Sequence, residues 1–135
     1  MESSGNVGLR SLRGLQEVRY KRGDVILAWY PLASGIGASR RPCVVVQNDD
    51  DNRKLANTVV AQITTNLARV GDKFHVVIEV ASTDGTLTGL LHDSVISCNN
   101  LATIQEARIQ NLIGKLAPTT LQAMNDALQA ALELP

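Results

Sequence analysis

The chain has 135 residues, 44% of them apolar, 3% aromatic and 19% charged, with a formal net charge of zero. That length suits one domain with an aliphatic core, and the zero net charge argues against a protein that grips long nucleic acid through bulk charge. No apolar run reaches transmembrane length, and the first twenty residues lack a signal-peptide segment, so a cytoplasmic protein without a membrane role is expected.

Residues 1–20 are rich in Ser, Gly, Asn and Arg without periodicity and read as a flexible extension; the domain itself is assigned to 21–135. Arg22-Gly23-Asp24 reads as a turn into a first strand, Asp24 to Tyr30. Pro31 to Ser39 is a Gly/Ser-rich loop containing Gly35 and Gly37. A second strand is expected over Cys43 to Gln47, followed by a polar turn from Asn48 to Asn52. The third and fourth strands are expected at Asn57 to Thr64 and Phe74 to Ala81. A turn at Asp84 to Gly89 precedes a fifth strand, Asp93 to Cys98. Glu106 to Arg108 forms a short helical turn, and Leu112 to Leu116 a sixth strand. Strands about a dozen residues apart with turns between them indicate a small antiparallel barrel or a strongly bent sheet. After Pro118 the period changes. Leu121, Met124, Leu128, Ala131 and Leu132 repeat at helical spacing, and Thr119 or Thr120 is the expected cap.

Charge is unevenly spread. Residues 1–41 hold seven Lys/Arg against Glu2, Glu17 and Asp24, a local excess compatible with an anion site. Pro42 biases Arg41 toward extended backbone, so an arginine stands at the mouth of an apolar strand where its fork can be aimed at phosphate. Its plain reading is a solvated cation. Thr64 reads first as a β-branched strand end, His75 as a packed histidine, and Trp29 and Tyr30 as core or rim residues. An indole beside an arginine-bearing loop keeps base stacking open. Asp49-Asp50-Asp51 lacks the spacing of a calcium loop. Cys43 and Cys98 sit in apolar runs as reduced hydrophobes, and with only two histidines no structural zinc site is expected.

Taken in order, Arg22-Gly23-Asp24-Val25, the Gly/Ser loop, Arg41-Pro42-Cys43-Val44-Val45-Val46-Gln47-Asn48-Asp49 and Val59-Val60-Ala61-Gln62-Ile63-Thr64 resemble the MazF/PemK family of toxin ribonucleases. Asp93-Ser94-Val95-Ile96, Thr103-Ile104 and Ile113-Gly114-Lys115-Leu116 continue the likeness, which covers about residues 20–134. The resemblance implies a mainly β fold with α: an SH3-like, CcdB/PemK-type β-barrel with a C-terminal helix. It implies a homodimer that cleaves single-stranded RNA at short sequences without metal or other cofactor, and that is neutralised by a cognate antitoxin. Arg41 and Thr64 match the family's catalytic pair. Ser39, Arg40, Asn66, His75 and Trp29 are the candidate RNA contacts around it.

Asn99, Asn100 and Ala102 stand where many relatives carry an acidic residue, a glutamine and an arginine, and the loop before Arg41 lacks a Glu-Gln pair. If position 102 faces the substrate groove, these departures imply a slow or unusually selective nuclease. They also favour an alternative: a binding module on the same fold that poisons a target as CcdB proteins do, or that only binds its antitoxin. A peptide-binding β-barrel adaptor fits zero net charge and does not fit the ordered resemblance.

Overall fold

A computed structural model describes residues 20–68 and 70–135. The extension expected over 1–20 lies outside them apart from Tyr20, whose side chain is buried.

Six strands form one antiparallel sheet: β1 (Asp24–Pro31), β2 (Ala38–Val45), β3 (Asn57–Thr64), β4 (His75–Ile78), β5 (Ser94–Gln105) and β6 (Ile109–Lys115). Their order is β4-β5-β3-β2-β1-β6. Among the described residues three helices accompany them: α1 (Asp49–Lys54), α2 (Thr83–Thr86) and α3 (Pro118–Ala131). β5 is second in the sheet and β6 is last, yet only the 3-10 turn Glu106–Arg108 joins them. So short a connection forces the sheet to curl, and the result is the barrel-like shape expected from the strand spacing.

The curl gives the sheet two packed faces. Neighbouring apolar residues on one strand go to different clusters, as strand alternation requires. Ile26, Ala28, Tyr30, Cys43, Val45, Val60 and Ile104 gather with Tyr20 on the inner face. Val25, Val44, Ala61, Ile63, Ile96 and Cys98 gather on the outer face, where Met124 and Ala127 of α3 cover them. This is why the strands read as continuous apolar runs: both faces are buried along part of their length.

Several boundaries differ from expectation, each for a physical reason. β2 begins at Ala38, not Cys43, because Ala38 to Val44 pair with β1 although Ser39 to Pro42 carry no apolar pattern. β3 pairs with β2 only over Cys43–Val45, so Pro42 lies where β2 is an edge, which tolerates its missing N–H. β5 runs on to Gln105. The register with β3 jumps between Ala61↔Leu101 and Gln62↔Ser97, so Asn99 and Asn100 form a bulge and not a strand end. β4 is shorter than expected, because Val80 N–H turns to donate to Asp93 Oδ1 (2.9 Å). The Asp84 turn is the short helix α2, capped by the Ser82 hydroxyl. The Asn48–Asn52 turn is the start of α1, with Asn48 accepting from Asp51 N–H. In α3, Pro118 takes a first-turn position and no side chain caps the helix. Thr119 Oγ1 instead donates to Asp84 Oδ2 (2.6 Å), fastening α3 to α2. Ala102 does not line an open groove. It is partly buried against the inner cluster, opposite Val60.

The Arg22-Gly23-Asp24 turn forms as expected, with Gly23 at φ +91°. Arg22 Nε donates to Val46 O (2.9 Å) and Nη2 to Asn125 Oδ1 (2.8 Å), which ties the start of β1 to the end of β2 and to α3.

Cys43 and Cys98 are both free, fully buried and in different clusters, so they cannot pair. Burial pushes the Cys43 thiol up to about 12, against the pull of the Arg41 guanidinium, and the Cys98 thiol up to about 11. Thiolate is the reactive form. A thiol reagent at pH 8 therefore finds no reactive cysteine in the native protein and both cysteines in denaturant. Rapid labelling of the native chain would contradict this burial.

Candidate active site

The site is assembled by register. Strand alternation puts Ser39, Arg41 and Cys43 on the inner face of β2, opposite Tyr30, Ala28 and Ile26 of β1. On β3 the inner face carries Val60, Gln62 and Thr64. The β2–β3 ladder pairs Cys43 with Gln62. The ladder ends at Cys43 and Gln62; beyond it alternation keeps both Arg41 and Thr64 on the inner face. Arg41 stands where β2 has left β3, so its guanidinium emerges at the open end of the curved sheet.

Arg41 is half-buried. Its Nε donates to Ser39 Oγ (2.7 Å), two residues back on the same face. This fixes one edge of the guanidinium and leaves the Nη edge without a hydrogen-bond partner among the described residues. No carboxylate pairs with it there. Thr64 is also half-buried, and its Oγ1 accepts from Asn66 N–H (3.1 Å). The threonine hydrogen therefore remains available to donate. Asn66 is exposed, and its Oδ1 accepts from Ala68 N–H (3.1 Å), which shapes the turn that holds Thr64.

The other candidates lie elsewhere. Trp29 and Arg40 are direct cross-strand partners, and alternation sets them on the face opposite Arg41. His75 pairs with Ser97 of β5, which pairs with Gln62 of β3. His75 is thus two strands from β3, roughly 10 Å. Its side chain is only 4% exposed, and Nδ1 makes no hydrogen bond, standing 3.7 Å from Asp72 Oδ2. The ring is not presented to the open cleft. Asn99 is exposed on the β5 bulge.

Three residues outside the candidate site set complete the floor. The Tyr30 hydroxyl crosses from β1 to the β5 bulge and donates to Asn100 O (2.9 Å) and Oδ1 (3.0 Å). Asn100 Nδ2 in turn donates to Gln62 Oε1. Burial pushes the Tyr30 phenol up to about 12, with Cys43 adding to the rise and the Arg41 guanidinium opposing it. Tyr30 therefore stays protonated as a donor. The available signal was alternation: of two adjacent aromatics on one strand, one must face inward with Ile26 and Ala28.

The arrangement offers a forked cation held from one side, a hydroxyl with a free hydrogen on the same face, and a rigid polar floor. These suit an oxyanion such as a phosphodiester.

Comparison with known proteins places the chain in a family. Residues 21–132 match the family described as PemK-like, MazF-like toxin of type II toxin-antitoxin system. The chain is 33% identical over 117 residues to the endoribonuclease EndoA of Bacillus subtilis (strain 168), covering 84% of this chain and 95% of that protein. It is 30% identical over 115 residues to the endoribonuclease MazF of Staphylococcus saprophyticus, covering 84% and 92%. Among solved structures, a mycobacterial endoribonuclease in complex with its cognate antitoxin superposes with a TM-score of 0.67 at 27% identity, covering 86% of this chain and 97% of that one. The sequence, the curled sheet and these relatives agree, and the chain belongs to the PemK-like, MazF-like toxin family of type II toxin-antitoxin systems.

Proposed function

We propose that this protein is the endoribonuclease toxin of a toxin-antitoxin pair, and that it cleaves single-stranded RNA at short sequences without a metal ion. The observation that carries the reading is the match of residues 21–132 to the toxin family, and it is supported by an Arg41 fork and a Thr64 hydroxyl that strand alternation puts on the inner face of neighbouring strands. The names of the 33% and 30% identical relatives support the reaction class, and the mycobacterial complex supports an antitoxin partner. The protein acts as a homodimer in the cytoplasm. Among the described residues no helix is long and apolar enough to cross a membrane.

The chemistry follows from the groups present. The ribose 2′-oxygen attacks phosphorus and gives up its proton, and the 5′-oxygen departs carrying one. The products are a 2′,3′-cyclic phosphate and a 5′-hydroxyl. Between them lies a crowded, doubly negative phosphorane. Arg41 meets that charge with a permanently protonated fork, kept in place through Ser39. Thr64 donates a further hydrogen bond to a non-bridging oxygen. Such donors act most strongly when they are fixed before charge develops. Asn66 holds the Thr64 hydroxyl from behind. Ser39 and Asn66 contact RNA at the cleft, while Arg40 and Trp29 contact it beyond the cleft.

Purified, antitoxin-free protein is incubated with single-stranded RNA in EDTA, and the ends are mapped. The reading expects cleavage that survives chelation and leaves a cyclic phosphate. A metal requirement, or 3′-hydroxyl ends, would refute the mechanism. Tight RNA binding without cleavage would instead favour a binding module.

A further inference from the structure

A second feature lies on the face of the sheet opposite the cleft. Trp29 of β1 is directly opposite Arg40 of β2. On its other side, Ala28 makes the last β1–β6 pair with Ile109, the residue that follows Arg108 at the end of the 3-10 turn. Arg40 and Trp29 are paired, and Arg108, one residue beyond the ladder, extends them into a row: arginine, tryptophan, arginine. All are exposed, Trp29 at 43%. Arg40 Nη1 donates to Gln110 Oε1 on β6 (3.2 Å). Because β1 lies between β2 and β6, this bond spans β1 at the level of the indole. Among the described residues neither guanidinium pairs with a carboxylate. The nearest acidic residue in sequence, Glu106, is half-buried and lines a pocket with Tyr20, Ile26 and Gln110.

We infer that this row is a separate binding subsite for the single-stranded RNA that flanks the cleaved bond, with a base stacked on Trp29 and phosphates met by Arg40 and Arg108. The inference rests on the nuclease reading above. Three observations favour RNA as the occupant. An exposed aromatic on a rigid strand is a stacking platform that tolerates any base. Two cations beside it, neither paired with a carboxylate among the described residues, complement a phosphate backbone on a chain whose formal net charge is zero. The route between the two sites is short: Arg40 and Arg41 are consecutive, one on each face. The edge they share is open, since β3 pairs with β2 only from Cys43 onward. A strand that leaves the phosphate at Arg41 and passes over this edge reaches Trp29 with its next nucleotides.

Trp29 is the sole tryptophan of the chain, so its emission reports the site directly. The probes are a 2′-O-methyl copy of an RNA that the protein cleaves, which lacks the attacking hydroxyl, and two shorter copies that each lack one flank. The full copy quenches Trp29, and removing one particular flank abolishes the quenching. Trp29→Ala weakens binding of the full copy by roughly 5- to 150-fold, the range for one stacked base. Trp29→Phe restores much of it. Arg108→Ala, at an exposed position that carries no folding burden, makes the salt dependence shallower by about 0.7 in log–log slope. The inference is overturned if the full copy leaves Trp29 emission unchanged, or if Trp29→Ala and Arg108→Ala both bind it with wild-type affinity. It is overturned too if emission responds to protein concentration and not to RNA, which would assign the row to a contact between copies. If the wild-type protein cleaves RNA while Trp29 stays silent, only the subsite falls. If it neither cleaves nor binds RNA, the nuclease reading falls with it.

Discussion

Arg41→Ala lowers the RNA cleavage rate at least about 10²- to 10³-fold, the loss expected when one preorganised donor to a developing oxyanion is removed. The argument rests on where the side chain is held. Arg41 lies on the part of β2 that has left β3, with one edge bonded to Ser39 and the other free of partners among the described residues. It supports no core contact, so the melting temperature changes little. Arg41→Lys keeps the charge, loses the fork and falls between the two. Thr64→Ala produces a comparable rate loss, and Thr64→Ser, which retains a hydroxyl for Asn66 to hold, recovers most of it. Single-turnover cleavage of one RNA oligonucleotide by each variant, with a thermal melt alongside, makes the measurement. Wild-type rates in Arg41→Ala would remove the central element of the mechanism.

The elements readable from sequence were those whose pattern is local. β3 occupies Asn57–Thr64 as its β-branched run indicates, β1 starts at Asp24 behind a glycine turn, and α3 begins at Pro118. The elements misjudged are those that depend on a distant partner. Ser39 to Pro42 carry no strand signature, and they are extended because β1 pairs with them. Asn99 and Asn100 are turn formers by composition, yet the long pairing of β5 with β3 absorbs them as a bulge. The site divides in the same way. Arg41 and Thr64 are candidates through family resemblance, while their shared inner face follows from alternation along β2 and β3. The Tyr30–Asn100 bond joins residues 70 apart in sequence, and no local pattern announces it. Ala102 shows the converse. A position marked by a missing arginine packs against the inner cluster, so restoring the cation there would press a guanidinium against apolar side chains. The unevenly placed charges reached beyond the cleft as well. Arg40 and Arg41 are adjacent in sequence and point to opposite faces, a separation that follows from strand alternation once both residues are known to lie within β2.

The acidic stretch after β2 carries the largest stability effect expected here. Read as a solvated turn, Asn48–Asn52 instead opens α1 and buries Asn52 completely. The Asn52 side-chain oxygen accepts from Gln47 Nε2 (2.9 Å) and from the buried Thr58 hydroxyl (2.8 Å). Its nitrogen donates to Gln47 O (3.0 Å) and Asp49 Oδ1 (3.2 Å). Asp49 Oδ1 also accepts from Arg22 N–H (2.7 Å), so this one amide helps hold the turn that begins β1. Asn52→Ala leaves the Thr58 hydroxyl buried without this acceptor and opens a small cavity. An unsatisfied buried polar group costs about 1–3 kcal/mol, and with the cavity a loss of about 3 kcal/mol follows. Against a typical stability of about 5–15 kcal/mol that is a large fraction. For a domain of this size it lowers the melting temperature by about 10 °C. Arg41 and Thr64 lie at the opposite ends of β2 and β3 from α1, so the cleavage rate well below the melting transition stays near that of the wild type. Asn52→Asp retains the acceptor but buries a carboxylate and loses the donors, and it also destabilises. A melt of Asn52→Ala within about 2 °C of the wild type would mean that these hydrogen bonds only exchange for equally good ones with water, and that α1 is held by its cap and by Arg22 instead.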